Sequence, residues 1–112
     1  NCTYFADSKS GQDTSGLKPK GVVHWVDASA SVPITVMDYA RLFNVANPSS
    51  KTFLDDINHN SLTRLDAMAE PALLAHESRR FQFERQGYFY RDEQADGGAP
   101  VFNKTVSLRE GF

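Results

Sequence analysis

Apolar and polar positions alternate with a period of two along most of this chain, and Gly, Pro, Asn and Asp punctuate the runs. Such alternation in aromatic and β-branched residues predicts strands rather than helices. Cys2 to Ala6 and Lys20 to Asp27 read as strands on either side of a polar loop from Asp7 to Pro19, paired as a hairpin. Val32 to Tyr39 places Val32, Ile34 and Val36 on one face and Thr35, Met37 and Tyr39 on the other. Both rows are apolar enough for a strand covered on both sides, with Pro33 held to its start or edge. After the Asn47-Pro48-Ser49 turn, Ser49 or Ser50 is positioned to cap a short helix with Phe53, Leu54 and Ile57 on one side.

Leu62 to Ala67 is a further strand, and Glu70 to His76 a turn or single helical turn, with Pro71 at a first helical position. Two long strands are predicted in the last third, Phe81 to Asp92 and Val101 to Leu108. They are joined by Glu93 to Pro100, where Asp96, Gly97 and Gly98 suit a tight reversal. Phe102, Val106 and Leu108 share a face interrupted by Lys104. No internal repeat or low-complexity segment breaks the pattern, so the expectation is one mainly β module, a small barrel with one or two short helices.

At 112 residues the chain holds one domain or most of one. A domain of this size buries roughly two thirds of the surface of its unfolded chain, enough for a core without disulfides. No apolar run is long enough for a membrane span. The opening Asn1-Cys2-Thr3 has neither an initiator Met nor a signal or transit pattern, and reads as the start of a fragment. Cys2, the single cysteine, cannot form an internal disulfide, and a reducing cytoplasm is the expected compartment. The net charge of −2, from 12 basic and 14 acidic residues, does not announce a nucleic-acid binder. Arg79, Arg80, Arg85 and Arg91 nevertheless crowd one stretch, so a local basic stripe is compatible with a near-neutral total.

Chemistry-bearing motifs are sparse. His24, His59 and His76 lack ligand spacing and a neighbouring Cys or carboxylate cluster, so no metal site is assigned. Asp55 and Asp56 are adjacent, and acids in a first helical turn are explained by the helix dipole rather than by paired acid–base work. There is no Gly-rich phosphate loop and no Gly-x-Ser-x-Gly nucleophile motif, so no catalytic residue and no cofactor are assigned to this chain. Asn103-Lys104-Thr105 scans as a glycosylation sequon that a cytoplasmic protein would not use. Trp25 is expected in the core or at a barrel rim, beside a hydrogen-bonded His24. Phe81, Phe83, Tyr88, Phe89, Tyr90 and Phe102 are read first as core, although aromatics on a strand also make stacking platforms for single-stranded RNA, with Tyr88 the one to watch. Arg79 and Arg80 suit either phosphate neutralisation or a solvated charge pair.

Five separated motifs carry a resemblance: Gly21-Val22-Val23-His24-Trp25-Val26, the stretch from Arg41 to Pro48, Ala69-Glu70-Pro71, the segment from Phe81 to Phe89, and Pro100-Val101-Phe102-Asn103-Lys104-Thr105-Val106. In order and spacing they resemble the C-terminal anticodon-binding region of the glutaminyl-tRNA synthetase family, in its bacterial branch, from Cys2 to about Arg109. The resemblance implies an incomplete β-barrel of the synthetase anticodon-binding and ribosomal-protein-like type. It also implies a longer parent enzyme whose absent N-terminal domain activates glutamine with ATP and magnesium and charges tRNA(Gln). The implied partners are the anticodon arm, that catalytic domain and the remaining barrel strands, in a cytoplasmic monomer.

Residue by residue, Gln82 and Arg85 match the family's glutamine and arginine that contact the middle uridine of the anticodon. The chemistry suits them, because an unstacked base is read on its Watson–Crick edge and uracil offers two carbonyl acceptors and one N–H donor. A Gln amide supplies both donor and acceptor, and a guanidinium supplies donors. Residues three apart on a flat strand point to opposite faces, so the pair meets at one base only across a bulge, a bend or a strand edge, and Gly87 marks a place for one. The same residue types also fit an exposed strand glutamine and an Arg85 ion pair with Glu84 or Asp92. The rival readings are a glutamyl-type synthetase region, a ribosomal RNA-binding protein with a similar barrel, and a scaffolding module that binds through exposed strand edges.

Overall fold

The computed structural model describes residues 1–49, 51–92 and 98–109. Its centre is a five-stranded sheet built from β1 (Val32–Tyr39), β2 (Leu62–Ala69), β3 (Arg80–Phe83), β4 (Gly87–Arg91) and β5 (Val101–Val106). The spatial order is β2-β1-β5-β4-β3. β1 and β5 run parallel, with Val36 beside Phe102, and every other pairing is antiparallel. The sheet does not close: β2 and β3 are its two edges. The mainly β expectation holds, as an incomplete barrel-like sheet.

Alternation sets the dry side of this sheet except at the centre of β1, where Thr35 on the opposite row is also buried, at 3% exposure. Ile34, Val36, Ala69, Phe89 and Phe102 form the buried core, and Ala67, Leu73, Phe81 and Phe83 pack against it. Phe102 is fully buried at 0% exposure. Phe83 stacks on Phe89 with ring centroids 4.3 Å apart, and Phe81 meets Phe102 edge-on at 5.8 Å. Stacked and T-shaped pairs of this kind add about 0.5–1.5 kcal/mol beyond the area they bury.

Several elements follow the sequence closely and others do not. β1 has the predicted bounds, β2 extends two residues beyond the predicted Ala67, and Pro71 precedes a single helical turn, α1 (Ala72–Ala75). The predicted Phe81 to Asp92 strand is instead a hairpin, broken by a turn over Glu84, Arg85 and Gln86. The predicted helix after Ser49 is a series of tight turns: the amides of Thr52, Asp55 and Asp56 each donate to the carbonyl three residues back, and Ile57 forms a bridge with Phe43. Phe53 and Leu54 stay largely exposed, so no apolar surface drew that segment into a regular helix. Ser50 and the tight reversal expected at Asp96 and Gly97 lie outside the described residues.

The expected N-terminal hairpin does not form. Cys2 to Phe5 and Gly21 to Asp27 have no strand pairing, Ala6–Ser8 is a 3₁₀ turn, and Trp25 is 76% exposed rather than core. The alternation there is real, but the described residues offer it no partner strand. The radius of gyration, 18.9 Å, records this extension, since a closed-packed chain of this length has a value of about 13 Å. The arm is punctuated by side-chain turns, such as the one in which Asp27 accepts from the Ser29 amide and hydroxyl. Those bonds hold the Asp27 carboxyl below its usual range.

Because Phe102 touches both the β3–β4 hairpin and β1, its removal empties the sheet's centre. Phe102→Ala is expected to destabilise the fold by about 3–5 kcal/mol, read as a lower urea midpoint with an unchanged slope.

Candidate nucleic-acid interface

The outward face of the β3–β4 hairpin carries polar and phenolic side chains where the inward face carries phenylalanine. On β3 the exposed residues are Arg80 and Gln82, alternating with half-buried Phe81 and Phe83. On β4, Tyr88 and Tyr90 are 45% and 37% exposed, flanking buried Phe89. The register sets Gln82 opposite Tyr88 and Arg80 opposite Tyr90. These four residues, with Thr105 of β5, line a shallow groove of about 380 Å³. Core is the first reading of all six aromatics, with Tyr88 the one to watch as an exposed platform, and the structure exposes both Tyr88 and Tyr90. The hydroxyl was the missed signal: every phenylalanine of the set turns inward or half-inward, and both tyrosines face out.

Arg85 sits beyond this row at the tip of the turn, where its backbone takes φ of +65°. Gln86 closes the turn by donating its amide to the Phe83 carbonyl at 2.9 Å. The Arg85 side chain is about half exposed, with its guanidinium 4.0 Å from the Glu84 carboxylate. The predicted irregularity exists: Gly87 has φ of +144°, and the β4–β5 register shifts between Tyr88 and Phe89. Gln82 is thus on an edge strand and Arg85 on the reversal that follows it, so the two are not bound by the flat-strand rule that sends residues three apart to opposite faces.

Other arginines of the predicted basic stripe are differently employed. Arg91 donates to the Leu74 carbonyl, whereas Arg80 has no carboxylate within 4.0 Å among the described residues. Asn103 of the apparent sequon accepts from the Tyr39 hydroxyl at 2.8 Å and donates to Asp92 at 3.1 Å, which makes it an internal strut. His24 faces the inner side of the sheet, where it lines an open groove of about 780 Å³ with an apolar floor of Ile34, Leu73 and Phe83 and polar residues that include Asp38, Glu70, Gln82, Glu84 and Lys104. Among the described residues no cluster of three His, Cys, Asp or Glu could hold a metal ion. No helix there is long and apolar enough to cross a membrane.

Residues 22–92 match the family model of the anticodon-binding domain of class I tRNA synthetases of the E and Q type. The chain belongs to that family. It is also similar to the glutamine–tRNA ligases of Rhodopirellula baltica, 46% identical over 114 residues, of Nitrobacter hamburgensis, 43% over 110, and of Escherichia coli O7:K1, 46% over 112. Each alignment covers 97% of this chain. The chain spans about one fifth of the length of these relatives, 19% of the first and 20% of the others.

The turn geometry makes opposite demands at two neighbouring positions of this anticodon-binding domain. A side chain at φ of +65° costs about 1–2 kcal/mol relative to glycine, so Arg85→Gly is expected to leave stability within about 1 kcal/mol of the parent once the looser unfolded chain is counted. At Gly87 a Cβ would lie 2.6 Å from the backbone oxygen of Val106. Gly87→Ala is therefore expected to cost more than about 1 kcal/mol. Urea denaturation of the two variants side by side checks both signs.

Proposed function

We propose that this chain is the C-terminal anticodon-reading part of a glutamine–tRNA ligase, and that Gln82 and Arg85 read the middle uridine of the anticodon. The observation that carries the proposal is the exposure of Gln82 on an edge strand directly before the Arg85 turn, within a domain whose family binds anticodons. The relatives' names support the glutamine enzyme over a glutamyl-type one. Edge placement leaves the Gln82 amide free to donate and accept at a uracil edge. Arg85 brings guanidinium donors from the turn, and Glu84 draws on that charge through an exposed contact that costs little to release.

In this reading the longer enzyme is a cytoplasmic monomer. Glutamine activation with ATP and magnesium belongs to a catalytic region elsewhere in it, and this chain adds no catalytic group. The open inner groove and the exposed arm carrying Val22, Val23 and Trp25 supply surfaces against which further barrel strands of the same protein would pack. The scaffolding alternative is absorbed rather than opposed, since those edges serve assembly within the enzyme.

Titration of labelled anticodon stem-loops, one with the glutamine anticodon and one with its middle uridine replaced, measures the discrimination. The expected result is a uridine preference of about 5- to 150-fold, the scale of one good polar base contact. Gln82→Ala and Arg85→Gly should each erase it while leaving the fold intact. Equal affinity for both loops, unaltered by either substitution, would sink the assignment.

A further inference from the structure

We infer that the open edge of β2 is a self-complementary interface, through which a second copy of this chain adds its own β2 antiparallel, about a two-fold axis at Leu65. β2 is eight residues long, and its pairing with β1 runs from Leu62 to Ala69 without a bulge. It contains no proline, and Leu62, Leu65 and Met68 are 53%, 47% and 49% exposed. Edge strands that avoid one another are short, bulged, interrupted by proline or charged with one sign. β2 has none of these features, because its two charges, Arg64 and Asp66, are opposite.

Backbone polarity fixes which residues serve this edge. The Ala40 amide donates to the Ser61 carbonyl at 2.7 Å, and main-chain groups point to alternate sides along a strand. Thr63, Leu65, Ala67 and Ala69 therefore turn their backbone groups to β1, whereas Leu62, Arg64, Asp66 and Met68 present theirs to the open edge. With the axis at Leu65, Arg64 of each copy lies opposite Asp66 of the other, and Leu62 opposite Met68. All of these pairs are of the hydrogen-bonded kind, which gives about eight main-chain bonds. Neither Arg64 nor Asp66 has an ion-pair partner within 4.0 Å among the described residues, so both gain one across the axis. Moving the axis to Arg64 or to Asp66 brings two arginines or two aspartates together, and like charges thus exclude the neighbouring registers.

β3 is the far edge of the sheet, so the pairing leaves the β3–β4 face of each copy open. In the longer monomeric enzyme proposed above, further strands of the same polypeptide compete for this edge, and self-pairing is a property of the present chain. One strand from each copy makes a small interface, so the dimer is expected to form reversibly at micromolar to millimolar concentrations.

Sedimentation equilibrium of the 112-residue chain is expected to show a monomer–dimer equilibrium, since a two-fold contact closes on itself. Arg64→Asp and Asp66→Arg each set like charges opposite one another and should weaken self-association. Loss of the two charge pairs alone amounts to about 2- to 30-fold, and repulsion adds to it. Mixed in equal amounts, the two variants should pair with each other as tightly as the parent pairs with itself, which also shows that both are folded. Oxidation reads the register, on a Cys2→Ser background that removes the exposed native thiol. Leu65→Cys should give a disulfide-linked dimer, because it meets its own copy at a closely spaced, non-hydrogen-bonded position. Thr63→Cys lies opposite Ala67 instead, beyond disulfide reach of its own copy, and should not. A monomer at every concentration, self-association that neither charge substitution weakens, a failure of the mixed variants to pair, or equal oxidation of the two cysteine variants would overturn the interface.

Discussion

The stack of Phe83 on Phe89, closed from below by Phe102, is the contact on which the rest of the molecule depends. It is made by one residue from each of β3, β4 and β5, and Phe102 then carries the group onto β1 through its register with Val36. An isolated two-stranded hairpin is marginal in water. Here the β3–β4 hairpin gains its rigidity from three phenyl rings on one face. Its other face is thereby left free to carry exposed polar and phenolic side chains, which serve recognition in the proposed reading.

Alternation converts that packing into a surface. With Phe81, Phe83 and Phe89 fixed inward, the pleat forces Arg80, Gln82, Tyr88 and Tyr90 outward in two aligned rows. Slipping the register by one residue would exchange the two sets, burying an arginine and a glutamine. Gly87 guards against such a slip, because the close approach of the Val106 carbonyl leaves no room for a side chain there. The positive φ at Arg85 is backbone strain at a non-glycine residue, held in place by a hairpin that is well packed on its far side. Strain that persists where glycine would relieve it is expected where a particular side chain is required.

Legibility from sequence followed the availability of partners within the chain. β1 and β2 were readable because each alternating row has its complement here, Ile34 opposite Ala67 and Pro33 opposite Met68. The alternation at Cys2 to Ala6 and Lys20 to Asp27 is of equal quality, yet it made no sheet, since a period-two pattern states what a segment can pair with and not whether the partner is present. The turn at Glu84 to Gln86 was hidden for a different reason. It contains no Gly, Pro, Asn or Asp, and the left-handed residue is an arginine, so local turn chemistry had nothing to report. The same exception that hid the turn is what separates Arg85 from the strand rule and sets it beyond Gln82. Among the aromatics, hydrophobicity alone could not divide Phe from Tyr, whereas the need of a buried hydroxyl for a partner does.

The near-neutral charge fits this division of labour. Sequence-independent attraction to RNA grows with the number of phosphates neutralised, and the outward face offers the guanidiniums of Arg80 and Arg85, the second already drawn on by Glu84. A face so sparing in charge contributes little bulk affinity. In the proposed reading what it offers is discrimination, through an amide, two guanidiniums and two phenol rings held in register by a dry aromatic floor. A chain spanning about a fifth of its relatives' length can be specialised in this way, since attraction supplied anywhere along a longer polypeptide serves the whole, whereas the fit to a base must be built at the point of contact.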